Sequence, residues 1–139
     1  MYILAKIYFD AATGGNPGLS SCAVVIVTED ERYVFEKNLG ILDNHSAEWA
    51  AFEFALHCAI DLKIDNALVF TDSKLIEDSV NREQVKNDKF KPYLNKTLAL
   101  ANKFELMFVK WVPRNQNKEA NHHAQQALYK NTQQEKKRK

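Results

Sequence analysis

The chain has 139 residues, 45% of them hydrophobic and 27% charged, with a formal net charge of +1. That length carries one domain with a real core, and the composition excludes a disordered, fibrous or disulfide-rich chain. No apolar run approaches the roughly 20 residues that span a bilayer, and the N-terminus lacks a basic-then-apolar secretion layout, so a cytoplasmic monomer without membrane contact is expected. Charge is unevenly placed. Lys130, Lys136, Lys137, Arg138 and Lys139 leave 14 basic against 17 acidic residues over 1–129, so any polyanion must meet a local basic surface, metal ions or the C-terminal segment. A domain over 1–132 and a basic, disordered tail over 133–139 are expected.

Residues 2–10 alternate apolar with polar and read as a strand with one buried face, which puts Asp10 on or just past a core strand. A carboxylate there is costly to ionise without a partner cation or metal. Gly14-Gly15-Asn16-Pro17-Gly18 follows as a turn through which a backbone approaches closely. Residues 21–28 and 32–40 are two more strands around the polar hairpin Thr28-Glu29-Asp30-Glu31, and three strands on short links make an antiparallel meander. Asp43 to Ser46 supply N-cap candidates for a helix over 47–62, with Trp49, Phe52, Leu56, Ala59 and Ile60 as its apolar stripe. Glu48 lies at the foot of that stripe, in the expected first turn.

Residues 67–71 form a short buried strand ending at Asp72. Strand, helix, strand in that order makes the first and fourth strands parallel neighbours by a right-handed crossover, which brings Asp10 and Asp72 together at their carboxyl ends. A helix over 73–80, a polar, locally basic stretch over 82–93, a helix over 93–103, a fifth strand over 105–112 and a helix over 117–130 complete the chain. Cys22 and Cys58 sit in apolar surroundings and are expected to be reduced core residues. Asp10, Glu48 and Asp72 thus converge on one edge of a five-stranded mixed sheet. Three carboxylates so close repel, and hard oxygen ligands favour Mg²⁺ or Mn²⁺ as the compensation.

Four segments carry a resemblance: Asp10 to Gly18, Asn44-His45-Ser46-Ala47-Glu48, Thr71-Asp72-Ser73, and Trp111-Val112-Pro113-Arg114 with Asn117-Lys118-Glu119-Ala120-Asn121. In this order and on these elements the chain resembles the type 1 ribonuclease H family over almost its whole length. The resemblance implies an α/β, ribonuclease H-like fold, with three antiparallel strands, the fourth and fifth parallel to the first, and flanking helices. It implies an endoribonuclease that cuts the RNA strand of RNA-DNA hybrids with two Mg²⁺ ions, replaceable by Mn²⁺, giving 5′-phosphate and 3′-hydroxyl ends. Asp10, Glu48, Asp72 and Asn121 would be the metal ligands, and Arg114 would neutralise phosphate charge. Ala11, Gly15, Asn16, Asn44 and His45 would meet the hybrid's minor groove, and Lys74 a phosphate.

Asn121 stands where the family pattern has its fourth carboxylate, and Lys74 where a glutamine is common. These departures keep open an alternative, a catalytically impaired domain that binds hybrid or a protein partner without cutting. Another nuclease of the same superfamily is a further alternative.

Overall fold

A computed structural model describes residues 4–138; residues 2 and 3 of the expected first strand, and Lys139 of the tail, lie outside the described residues. The sheet is ordered β3-β2-β1-β4-β5. It is built from β1 (Leu4–Thr13), β2 (Gly18–Val27), β3 (Arg32–Leu42), β4 (Asn66–Thr71) and β5 (Leu106–Trp111). β2 pairs antiparallel with β1 and β3, while β4 pairs parallel with β1 and β5, which is the mixed topology expected. The run Cys22 to Ile26 is buried throughout because helices cover β2 on both faces.

α1 (Asn44–Asp61) lies on one face. Trp49, Phe52, Leu56 and Ala59 are fully buried there, and the Phe52 ring stacks on Phe9 of β1 at 5.4 Å between centroids. The small residues Ala51, Ala55 and Ala59 are also fully buried and let the helix lie close. α4 (Lys118–Lys137) crosses the opposite face, where Ala124 packs on Ala12 and Ala23 with Leu128 beside them. α2 (Lys74–Arg82) packs against β4 and β5, and α3 (Lys91–Ala101) packs against α1 and touches α2.

Several boundaries differ from the sequence reading by a few residues, and three of them have an identifiable cause. α1 starts at Asn44 rather than Ala47, because the Asp43 carboxylate accepts from the Ser46 backbone N–H and serves as the N-cap. Glu48 therefore lies beyond the first turn. α3 starts at Lys91, since Pro92 is tolerated in a helix's first turn. The final helix continues to Lys137, through most of the segment expected to be disordered. Its extension rests on good helix formers, on buried Asn131, and on a Lys130–Glu36 ion pair at 2.7 Å that ties it to β3. Among the described residues no helix is long and apolar enough to cross a membrane.

Candidate active site

The last paired residues of the β1–β4 ladder are Tyr8 and Phe70. Asp10 and Asp72 each stand two residues further on, so the register that ends there sets the two carboxylates side by side. β1 turns Asp10 toward α4, and it is only 7% exposed. Burial, reinforced by the charge of Asp72, pushes its carboxyl up to about 6, against the hydrogen bond from Asn121. Glu48 reaches the same place from α1. Burial also raises its carboxyl above the ordinary value, while a Ser73 hydrogen bond and His45, whose Nδ1 is 3.4 Å from Glu48 Oε1, oppose the shift.

The three acids open on one cleft of about 370 Å³, together with Ala11, Ala12, Thr13, Asn44, Arg114 and Gln125. Of the residues singled out from sequence, this brings together Asp10, Ala11, Asn44, Glu48, Asp72 and Arg114. The remaining ones stand around it. Asn16 accepts from the Asn44 backbone N–H at 2.9 Å. Asn121 is behind Asp10 and gives its Nδ2–H to Asp10 Oδ2 at 2.8 Å, so the end of its amide nearest the acid is the donor. Lys74 lies over the Trp111 ring, 4.4 Å from its centroid, rather than in the cleft lining. Gly15 is likewise outside the lining. The tight turn has an internal reason for its glycines: a Cβ on Gly18 would stand 2.4 Å from the Gly15 nitrogen.

Several residues act here without having been singled out. Thr13 Oγ1 donates to Asn44 Oδ1 at 2.7 Å and orients that amide. Trp111 Nε1 donates to the Asp72 carbonyl at 3.2 Å. Asn117 Nδ2 donates both to the Phe9 carbonyl at 2.9 Å and to Asp72 Oδ2 at 3.1 Å. Asn117 had a sequence signal, its place at the head of the fourth motif, but a loop asparagine says nothing of what it will touch. Gln125 had only helical spacing, one turn beyond Asn121. Cys22 and Cys58 are free and buried, and burial pushes both thiols up to about 12, which suits inert core residues.

The donor set suits hard divalent ions. Asp10, desolvated and beside two more acids, is only partly compensated by the Asn121 hydrogen bond and the charge of Arg114. Among the described residues no three His, Cys, Asp or Glu side chains close round a single ion. Mg²⁺ does not require such a closed set, since one or two carboxylates with water and substrate phosphate can complete its shell.

The sequence profile described as reverse transcriptase-like matches residues 8–127. The chain is 39% identical over 130 residues to an Enterococcus faecalis protein named "Putative hydrolase EbsB", covering 91% of this chain and 96% of that one. It is 33% identical over 127 residues to ribonuclease HI of Halobacterium salinarum, covering 87% of this chain and 62% of that relative's length. In structure it is similar to the N-terminal RNase H domain of a Mycobacterium tuberculosis protein, solved as a fusion with maltose-binding protein. That match has a TM-score of 0.87 and 27% identity, covering 95% of this chain and 98% of the other. On a profile match over most of its length, on these relatives, and on a sheet whose order sets Asp10 beside Asp72, the chain belongs to the type 1 ribonuclease H family.

Proposed function

We propose that this protein is an endoribonuclease that hydrolyses the RNA strand of RNA-DNA hybrids with two divalent ions, Mg²⁺ or Mn²⁺. The observation that carries this reading is the convergence of Asp10, Glu48 and Asp72 on one cleft with Arg114 at its rim. Bound there, the ions would supply charge neutralisation at the phosphate and an activated water. The chain's own residues would do the rest. Asp10, Glu48 and Asp72 would hold the ions, and Arg114 would set a fixed cation beside the phosphate, where negative charge accumulates as the reaction proceeds. Thr13 holds the Asn44 amide by its oxygen, and the Nδ2 hydrogens would meet a 2′-hydroxyl in the minor groove. His45, 3.4 Å from Glu48, would face the minor groove beside Asn44. In the balanced reaction the water oxygen bonds to phosphorus and the bond from phosphorus to the 3′ oxygen breaks. One water proton goes to that oxygen and the other to solvent, leaving a 3′-hydroxyl and a 5′-phosphate.

The test is cleavage of an end-labelled hybrid in separate Mg²⁺ and Mn²⁺ titrations, with single-stranded RNA, duplex RNA and duplex DNA as controls. Cutting confined to the RNA strand of the hybrid is expected. No cutting in either metal overturns the reading.

One observation favours a second reading, a hybrid-binding domain with impaired cleavage. The Asn121 amide hydrogen occupies Asp10 Oδ2, where a fourth carboxylate would add charge for a second ion. Asn121→Asp separates the two. In an active enzyme it lowers the Mg²⁺ concentration for half-maximal rate, whereas in an impaired domain that binds hybrid it creates cutting where wild type shows none.

A further inference from the structure

Asn117 has almost no contact with solvent, at 1% exposure, yet its side chain is polar and only half satisfied. Its Nδ2 forks between Phe9 O on β1 and Asp72 Oδ2 at the end of β4, while its own Oδ1 is buried without a hydrogen-bond partner among the described residues. A buried, unpaired carbonyl oxygen destabilises a fold, and an apolar side chain of similar volume would avoid it. An amide kept there at that disadvantage points to what its donor end does. The location explains the need. The parallel ladder stops at Tyr8 and Phe70, so backbone hydrogen bonds no longer hold the strand ends together at Asp10 and Asp72. The Asn117 fork spans that gap. Its backbone carbonyl also accepts from Asn121 N–H at 3.1 Å, which starts the helix that carries the amide bonded to Asp10.

We propose that Asn117 is a positioning residue, which fixes the Asp72 carboxylate against the end of β1 and so sets its spacing from Asp10. The proposal rests on the ribonuclease reading above and deepens it. Asn117 touches neither hybrid nor ion; it acts through Asp72.

The experiment combines hybrid cleavage with calorimetric titration of Mn²⁺ into the full chain, for wild type, Asn117→Ala, Asp72→Asn and the double variant. Removing a residue that orients a metal-binding carboxylate lowers metal affinity or rate by about tenfold or more. Asn117→Ala is therefore expected to weaken Mn²⁺ binding and lower kcat to that extent, with KM for hybrid within about threefold. In the Asp72→Asn background it should cause no further loss of Mn²⁺ affinity, because the two act as one unit. Asn131→Ala, which empties a buried amide site far along α4, should leave both readouts at wild-type values. If Asn117→Ala does not fold, Asn117→Ser, which keeps a donor but is too short to span both acceptors, is read by the same criteria. A folded variant that binds Mn²⁺ and turns over like wild type overturns the proposal, as does an equal loss in the Asp72→Asn background. Wild-type protein that neither cuts nor binds Mn²⁺ overturns the ribonuclease reading and this proposal with it. Wild-type cutting beside an indifferent Asn117→Ala overturns this proposal alone.

Discussion

An ionised carboxylate buried as deeply as Asp10 works against the fold that holds it, and a bound cation is what relieves it. The sign follows from its displacement from 3.8 to about 6. Below pH 4 the group is protonated in folded and unfolded chains alike and has no effect. Between pH 4 and 6 the folded state keeps a proton that the unfolded chain has released, so stability falls as pH rises. Above pH 6 the full disadvantage remains, on the order of 2–3 kcal/mol. Asp10→Asn removes that charge and keeps an oxygen to accept from Asn121. In metal-free buffer at pH 8 this variant should melt above wild type by about 7–10 °C, and the advantage should vanish near pH 4. Its cleavage should fall to background, the familiar exchange of stability for function at a charged site. Thermal unfolding in EDTA at the two pH values checks the first part. A variant no more stable than wild type at pH 8 would mean that Asp10 is compensated by the protein itself, and would weaken the case for a metal there.

At the scale of the element, the start of α1 couples folding to the cleft. Asp43 Oδ1 accepts from Ser46 N–H and Oδ2 from the Ser46 hydroxyl, each at 2.8 Å, and Lys89 pairs with the same carboxylate. The Lys89 hydrogen bond, more than any other contact, holds this carboxyl well below the usual range. The folded cap thus stays charged below the ordinary carboxylate range; its stabilisation is complete above about pH 4, the unfolded value, and is lost as pH falls from there toward the depressed folded value. Asp43→Ala should cost about 1 kcal/mol in urea unfolding at pH 7, with the difference shrinking in acid. Because Asn44 and His45 form the turn that Asp43 caps, the variant should also bind hybrid more weakly; equal stability at pH 7 would show that the cap is redundant. The same element shows what was legible in the chain. The strands and their order were, because alternating apolar residues and a continuous run at 22–27 have few other solutions. The start of α1 was not, since Asp43, Asn44 and Ser46 are all competent caps and only the tertiary pull of Lys89 distinguishes one. The length of α4 was hidden too, because residues 133–137 lack an apolar face from which to read a period. Asp10, Glu48 and Asp72 were legible as acids placed where a core was expected, whereas the Asn117 fork depends on a contact 108 residues away in sequence.

Over the whole molecule the question is whether the basic C-terminal end belongs to the nucleic-acid surface. α4 begins at the cleft with Asn117 and Asn121, and as a continuous helix it carries Lys136, Lys137 and Arg138 roughly 22–25 Å along its axis from Asn121. At 0.15 M salt the Debye length is about 8 Å, so these charges are screened from the cleft by about three lengths. A hybrid of about 8 base pairs centred on the cleft extends only about 14 Å either way at 3.4 Å per step, and cannot reach them along the helix axis. On the proposed function, affinity for such a short substrate would come from cations near the acids, Arg114 in the cleft lining and Lys74 over Trp111, since Lys89 is paired with Asp43. Replacing Lys136, Lys137 and Arg138 together by glutamine should leave kcat and KM on the 8-base-pair hybrid within about twofold, and the slope of log Kd against log salt unchanged. Arg114→Gln should instead lower that slope by about one and reduce kcat as well. A drop in short-hybrid affinity from the C-terminal replacements would mean that the end of α4 reaches the substrate by a path the straight helix does not offer, and would assign part of the phosphate grip to the basic segment.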